Sequence, residues 1–133
     1  MNKKIAIALD KNGDIAKTHF GDADYIYYLQ ITDKNELVFL EKKENILKTF
    51  EESGHGHDKK IVFAKEVLKD VQFVISGAMS PNFKRLKHKA GIYPIVTNKN
   101  IEDTINYLKN NLSKIYEFFT EDDNLVYIIE KND

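Results

Sequence analysis

The chain contains no cysteine. That excludes disulfides, thiolate-held zinc and an iron–sulfur cluster ligated in the ordinary way by cysteine sulfur. Nor is there an excess of charge of one sign: Lys+Arg number 20 and Asp+Glu 21, for a formal net charge of -1. Balanced charge gives no reason to expect nucleic acid, a membrane surface or acidic substrates as partners. No apolar run approaches the ~20 residues of a membrane span. The apolar start from Lys3 to Asp10 is too short for a signal segment followed by a cleavage site, so a cytoplasmic protein is expected. Also lacking are a Walker loop, a dinucleotide fingerprint, a Ser-His-Asp pattern, internal repeats and low-complexity linkers. At 133 residues the chain is long enough to bury a real core.

What is present reads as alternating strands and helices. Ile5, Ile7 and Leu9 alternate with Ala6 and Ala8, the pattern of a strand buried on both faces. Tyr25 to Ile31 and Leu37 to Leu40 are rich in aromatic and β-branched residues, and the short turn at Asp33-Lys34-Asn35 makes them a hairpin. After a polar stretch from Glu44 to Asp58, a helix is predicted over Lys59 to Lys69 with Asp58 as N-cap. Val71 to Ile75 is a short buried strand. Ser80 caps a helix with Pro81 at its first position and Gly91 past its end. Ile92 to Val96 is a strand whose Pro94 predicts an edge position. From Asn100 a long helix carries Ile101, Ile105, Leu108, Leu112, Ile115 and Phe119 at spacings that make one apolar stripe, to pack on the sheet or on a partner helix. Leu125 to Ile129 is a final strand or extended arm.

The order βββαβαβα implies an α/β fold: a three-layer, mixed five-stranded sheet flanked by helices, plus the C-terminal strand or arm. In such a sheet the loops DKNGDIAKTHFGDAD (10–24), the one ending SGHGHD (53–58) and SGAMSPN (76–82) all leave one edge, where open sheets bind ligands. That edge gathers His19, His55 and His57. Neutral imidazole is a good ligand for iron, zinc or copper. Gly54 and Gly56 let the HGH loop bend so that both of its histidines could face one ion. The alternatives are a His19 that orders its own turn and a solvated HGH loop. The Ser76–Asn82 turn offers backbone donors and a positive helix end to an anionic cluster, carboxylate or phosphate; the alternative is a plain capping turn. His88, on the lysine-rich face of Lys84, Arg85, Lys87 and Lys89, reads as a solvated surface histidine. Asp10, Asp14, Asp22 and Asp24 do not match the carboxylates of a two-metal nuclease, because Asp10 lies past its strand and the helix after Ile75 brings none near its start.

The segments KIAIALD, THFGDADYIYYLQI, SGHGHD, FVISGAMSPNFKRLKHKAGIYPIV and NIEDTINYLKNN, in this order and spacing, resemble the dinitrogenase iron–molybdenum cofactor-binding family over about residues 4 to 112. The resemblance implies a ribonuclease H-like topology and a small protein that carries the iron–molybdenum cofactor or a precursor. It maps the family's cofactor-binding histidine to His19, in His19-Phe20-Gly21. The SGAMSPN turn agrees with the family's glycine-bearing turn at that point, and the candidate cofactor site is His19, Phe20 and Gly21 together with Ser76, Gly77, Ser80 and Asn82 of that turn. Many family members carry cysteines near these loops, and this chain carries none. The expectation is therefore a non-enzymatic binding or carrier protein for an iron–sulfur or iron–molybdenum-type cluster or a metal ion, with residues 1–112 as the binding domain and 113–133 as an extension. The metal ligands would be His19, His55 and His57. The alternative is a metal-free protein–protein interaction module of the same fold. In either case the apolar residues of 113–133 raise the expectation of a homodimer through that segment, its strand pairing with the edge of its own or another chain's sheet. No nucleic acid and no membrane is expected among the partners.

Overall fold

Alternation in the first strand sorts the molecule into layers. The structure, a computed structural model, describes residues 3–48 and 64–130. Its strands are β1 (Lys3–Leu9), β2 (Tyr25–Ile31), β3 (Leu37–Glu44), β4 (Val71–Ser76), β5 (Tyr93–Thr97) and β6 (Tyr127–Ile129). Its helices are α1 (Pro81–Lys84), α2 (Leu86–Ala90) and α3 (Ile101–Phe119), with a further helical stretch at 64–67. Ile5, Ile7 and Leu9 of β1 face Leu108, Leu112, Ile115 and Phe119 of α3. Ala6 and Ala8 face the opposite layer, where Leu47, Val67 and Met79 are buried, with Phe83 and Leu86 packed against them. The apolar stripe of the long helix thus packs on its own sheet. Burial on both faces is what the unbroken apolar pattern of β1 requires.

The sheet has six strands in the order β3-β2-β1-β4-β5-β6. β1 and β3 both run antiparallel to β2, while β4 is parallel to β1, β5 to β4 and β6 to β5. The α/β expectation therefore holds, with the C-terminal segment as the sixth strand. Leu9, Tyr25 and Glu44 stand in line across β1, β2 and β3. The exits of β1, β3 and β4 thus share one edge, and β2 begins there. Chain connections diverge from β1 in two directions, so the topological switch lies between β1 and β4.

Three expectations are corrected. Pro94 does not mark an edge: β5 lies between β4 and β6. The ladder to β6 starts at Ile95, one residue past the proline, so the missing N–H interrupts nothing on that side. A proline strand makes a poor edge partner, which would direct the C-terminal strand to β2 or β3; it pairs instead with β5. The helix expected to run on from Pro81 is broken at Arg85, whose φ of -96° and ψ of 1° leave the α region. Gly91 ends α2 in the left-handed conformation that favours glycine.

Residues beyond 112 complete the core. Ile115, Phe119, Tyr127 and Ile129 are buried. Phe119 stacks on Tyr93 with ring centroids 4.5 Å apart, and Phe118 meets Tyr127 edge-on at 5.0 Å. Lys87 donates from Nζ to the carbonyl oxygens of Glu121 and Asn124, fastening the 121–124 turn to α2. Among the described residues no helix is long and apolar enough to cross a membrane.

Candidate functional site

The crevice at the switch point is filled by the chain itself. After the Asn12-Gly13 turn, Ile15 bridges back to Leu9, and the backbone then crosses to the end of β4. Gly77 donates its N–H to Ala16 O at 2.7 Å, and His19 forms a short parallel bridge with Ala78. Buried Ser76 donates from Oγ to Thr18 O at 2.7 Å. A Cβ on Gly77 would stand 2.5 Å from Ala16 O and 2.8 Å from Lys17 Cα, so the approach requires glycine. The His19 turn and the Ser76–Asn82 turn are thus joined at one edge.

Their junction leaves a cleft of about 260 Å³ lined by His19, Gly21, Asp22, Leu47, Ala64, Ser80, Asn82 and Phe83. His19 precedes the 3-10 turn Phe20–Asp22 and is exposed. Its carbonyl accepts from Asp22 N at 3.0 Å, but among the described residues its side chain makes no capping hydrogen bond. The turn is ordered by its backbone and by Phe20, which is fully buried with its ring 5.2 Å from that of Phe83. Ser80 caps α1, its Oγ accepting from Phe83 N at 3.4 Å.

Other expected site residues have different work. The hydroxyl hydrogen of Ser76 and the N–H of Gly77 are directed to the 16–18 backbone, so neither is offered to a ligand. With α1 only four residues long, the helix end behind Ser80 and Asn82 carries little of the dipole that a longer helix would supply. His88 is exposed on α2. His55, His57 and Asp58 lie outside the described residues. Among the described residues no three His, Asp or Glu side chains converge on a point.

The aspartates serve the fold. Asp10 Oδ1 accepts from Asn12 N at 2.9 Å and Asp14 N at 3.1 Å, shaping the first turn. Asp14 Oδ1 accepts from Ile15 N at 2.7 Å and from Ile101 N at 2.8 Å, which ties the β1 loop to the start of α3. Asp24 pairs with Lys48 Nζ at 2.5 Å.

Asn45, which follows β3, was not anticipated. It is 3% exposed and bonds Phe20, Gly21 and Leu47 around the cleft. Its only sequence signal is an amide at the end of a strand, which reads as an ordinary loop residue. Tyr28 is a second: its hydroxyl donates to Val67 O at 2.8 Å and anchors the 64–67 helical stretch to the sheet. Burial, then the neighbouring Glu41 and Glu66 charges, push its phenol up to about 12.

No curated protein matches the chain. Residues 1–111 match the family model described as "Dinitrogenase iron-molybdenum cofactor", and that span covers the switch point, the His19 turn and the cleft; the chain belongs to this family.

Proposed function

We propose that the protein is a non-enzymatic carrier of an iron–molybdenum-type or other iron–sulfur cluster, held in the cleft beside His19. The observation that carries the reading is an exposed imidazole that makes no capping bond, standing at the rim of a cleft at the carboxyl edge of the sheet. The donors there are one imidazole, the Asp22 carboxylate, the Ser80 hydroxyl and the Asn82 amide. A structural zinc ion needs about four protein ligands. A preassembled cluster brings its own bridging sulfide and needs few, so this donor set suits a cluster better than a bare ion. Attachment through few ligands also suits a cargo that must be handed on. His55 and His57 are proposed as secondary ligands by their place in sequence after β3. Membership of a family named for the iron–molybdenum cofactor supports the choice of cargo.

The test is anaerobic cluster transfer from a donor to the full chain, with a cobalt(II) titration beside it. His19→Ala should weaken binding at least tenfold, while His88→Ala leaves it unchanged. Binding should weaken on acidification, since a protonated imidazole cannot ligate. Equal behaviour of the two variants rejects the assignment and favours the metal-free interaction module. For residues 113–133 we propose a stabilising extension. A homodimer through it would use the outer side of β6, where Ile128 is 58% exposed. Light scattering that finds a monomer at high micromolar concentration removes that possibility.

A further inference from the structure

We infer that Asn45 is a positioning residue that sets both walls of the His19 cleft, an inference that rests on the reading of His19 as a ligand. The chain leaves β3 at Glu44, and the next side chain turns inward, 3% exposed. From Nδ2 it donates to Phe20 O at 3.0 Å, with Gly21 O farther off at 3.5 Å. Its Oδ1 accepts from Leu47 N at 3.1 Å. Main-chain bonds hold the amide in place: Asn45 N donates to Asp24 O at 3.1 Å, and Asn45 O accepts from Lys48 N at 3.1 Å. The Asp24–Lys48 ion pair closes the same circuit. Gly21 and Leu47 both line the cleft, and His19 immediately precedes the clamped Phe20.

The chemistry specifies an amide. Two neighbouring carbonyl oxygens need a donor, and the Leu47 N–H needs an acceptor, from one buried planar group. Aspartate would present acceptors only and set its charge against the Phe20 and Gly21 carbonyls. Alanine would take this partner from the Leu47 N–H and from the buried Phe20 carbonyl, which also accepts from Ala23 N at 3.4 Å. His19 itself sits on an exposed turn whose order comes from elsewhere, and Asn45 joins that turn to the segment 45–48.

The experiment uses the full chain with three changes, Asn45→Asp, Asn45→Ala and His19→Ala, read by amide hydrogen exchange and by cobalt(II) titration. Asn45→Ala should lose on the order of tenfold or more of the exchange protection at both Asp22 and Leu47, the fold-change that one net hydrogen bond represents. Asn45→Asp should split the pair, keeping protection at Leu47 and losing it at Asp22, an outcome that general destabilisation would not give. Cobalt affinity should fall about tenfold in Asn45→Ala, and Asn45→Ala should cause no further loss when His19 is already alanine. Unchanged protection at Asp22 in both Asn45 variants overturns the inference. So does a loss of cobalt affinity of the same size whether or not His19 is present. If the wild-type chain binds no cobalt and accepts no cluster, the carrier reading fails; the split between Asp22 and Leu47 then still decides whether Asn45 holds the turn.

Discussion

Gly77→Ala isolates the contact that closes the switch point. The added Cβ would stand 2.5 Å from Ala16 O and 2.8 Å from Lys17 Cα, well inside van der Waals contact and against backbone on both counts. No flexible side chain can swing away, so the 16–18 loop must move as a unit. Overpacking of this kind costs about 1–3 kcal/mol, and losing the 2.7 Å bond from Gly77 N to Ala16 O adds about 1 kcal/mol. For a domain of this size a total of about 3 kcal/mol lowers the melting temperature by roughly 10 °C. Thermal and urea unfolding followed by circular dichroism measures it, and amide exchange at residues 16–19 localises it. Gly21→Ala is the control, because among the described residues nothing lies within 4 Å of a Cβ there, so its stability should change by less than about 0.5 kcal/mol. If the two variants unfold alike, the loop does not close on β4 as described, and the position assigned to His19 falls with it.

Tyr28→Phe should cost about 1 kcal/mol in urea unfolding by stripping Val67 O of its partner. The same phenol links stability to alkali: its folded value is about 12 against an ordinary 10.0, so the native state keeps the proton that the unfolded chain loses, and stability should fall as pH rises from 10 to 12. In Tyr28→Phe that part of the decline should vanish. Deleting residues 121–133 removes buried Tyr127 and Ile129 and should cost about 3–6 kcal/mol, read as a lower urea midpoint; an unchanged midpoint would show that β6 contributes nothing to the core.

Much of the fold was legible because its signals are local or periodic. The apolar alternation of β1, the Ser80-Pro81 start, the Gly91 stop and the stripe from Ile101 to Phe119 each depend on neighbours within a turn or two. The α3 N-cap is of the same kind: Asn100 Oδ1 accepts from Asp103 N at 2.8 Å. What escaped depends on contacts between distant segments. Pro94 reads as an edge signal until the register shows the β6 ladder starting after it. The backbone leaves helical geometry at Asn111, where φ is -134° and the side-chain amide donates to Tyr107 O at 2.9 Å, the carbonyl four residues back. Asn45 is the clearest case at the site. The carbonyls that its Nδ2 reaches lie 24 and 25 residues away, and nothing in their spacing marks an asparagine there as buried.

Filling the switch point changes where a ligand can go. Open α/β sheets usually receive ligands in the crevice where connections diverge. Here the backbone of 16–19 lies across it, and among the described residues a cleft opens on each face of the sheet beside it. On the α3 face the second cleft, about 390 Å³, is lined by Asp14, Lys17, Thr97, Lys99, Asn100 and Asp103 among others. Its obvious attraction, the start of a nineteen-residue helix, is already answered. Asp14 accepts from Ile101 N, Asn100 Oδ1 from Asp103 N, and Asn100 O from Thr104 N. An anion binding there would have to displace a carboxylate from a helix terminus that favours it. The alanine face offers an exposed imidazole, and the helix that starts at its cleft is α1, four residues long and capped by the Ser80 hydroxyl rather than by a carboxylate. That chemical inequality, rather than cleft size, favours the His19 flank as the place for a cargo. It also gives the loop a use: the Ser76, Gly77 and Ala78 contacts that close the crevice are the ones that bring His19 to its rim.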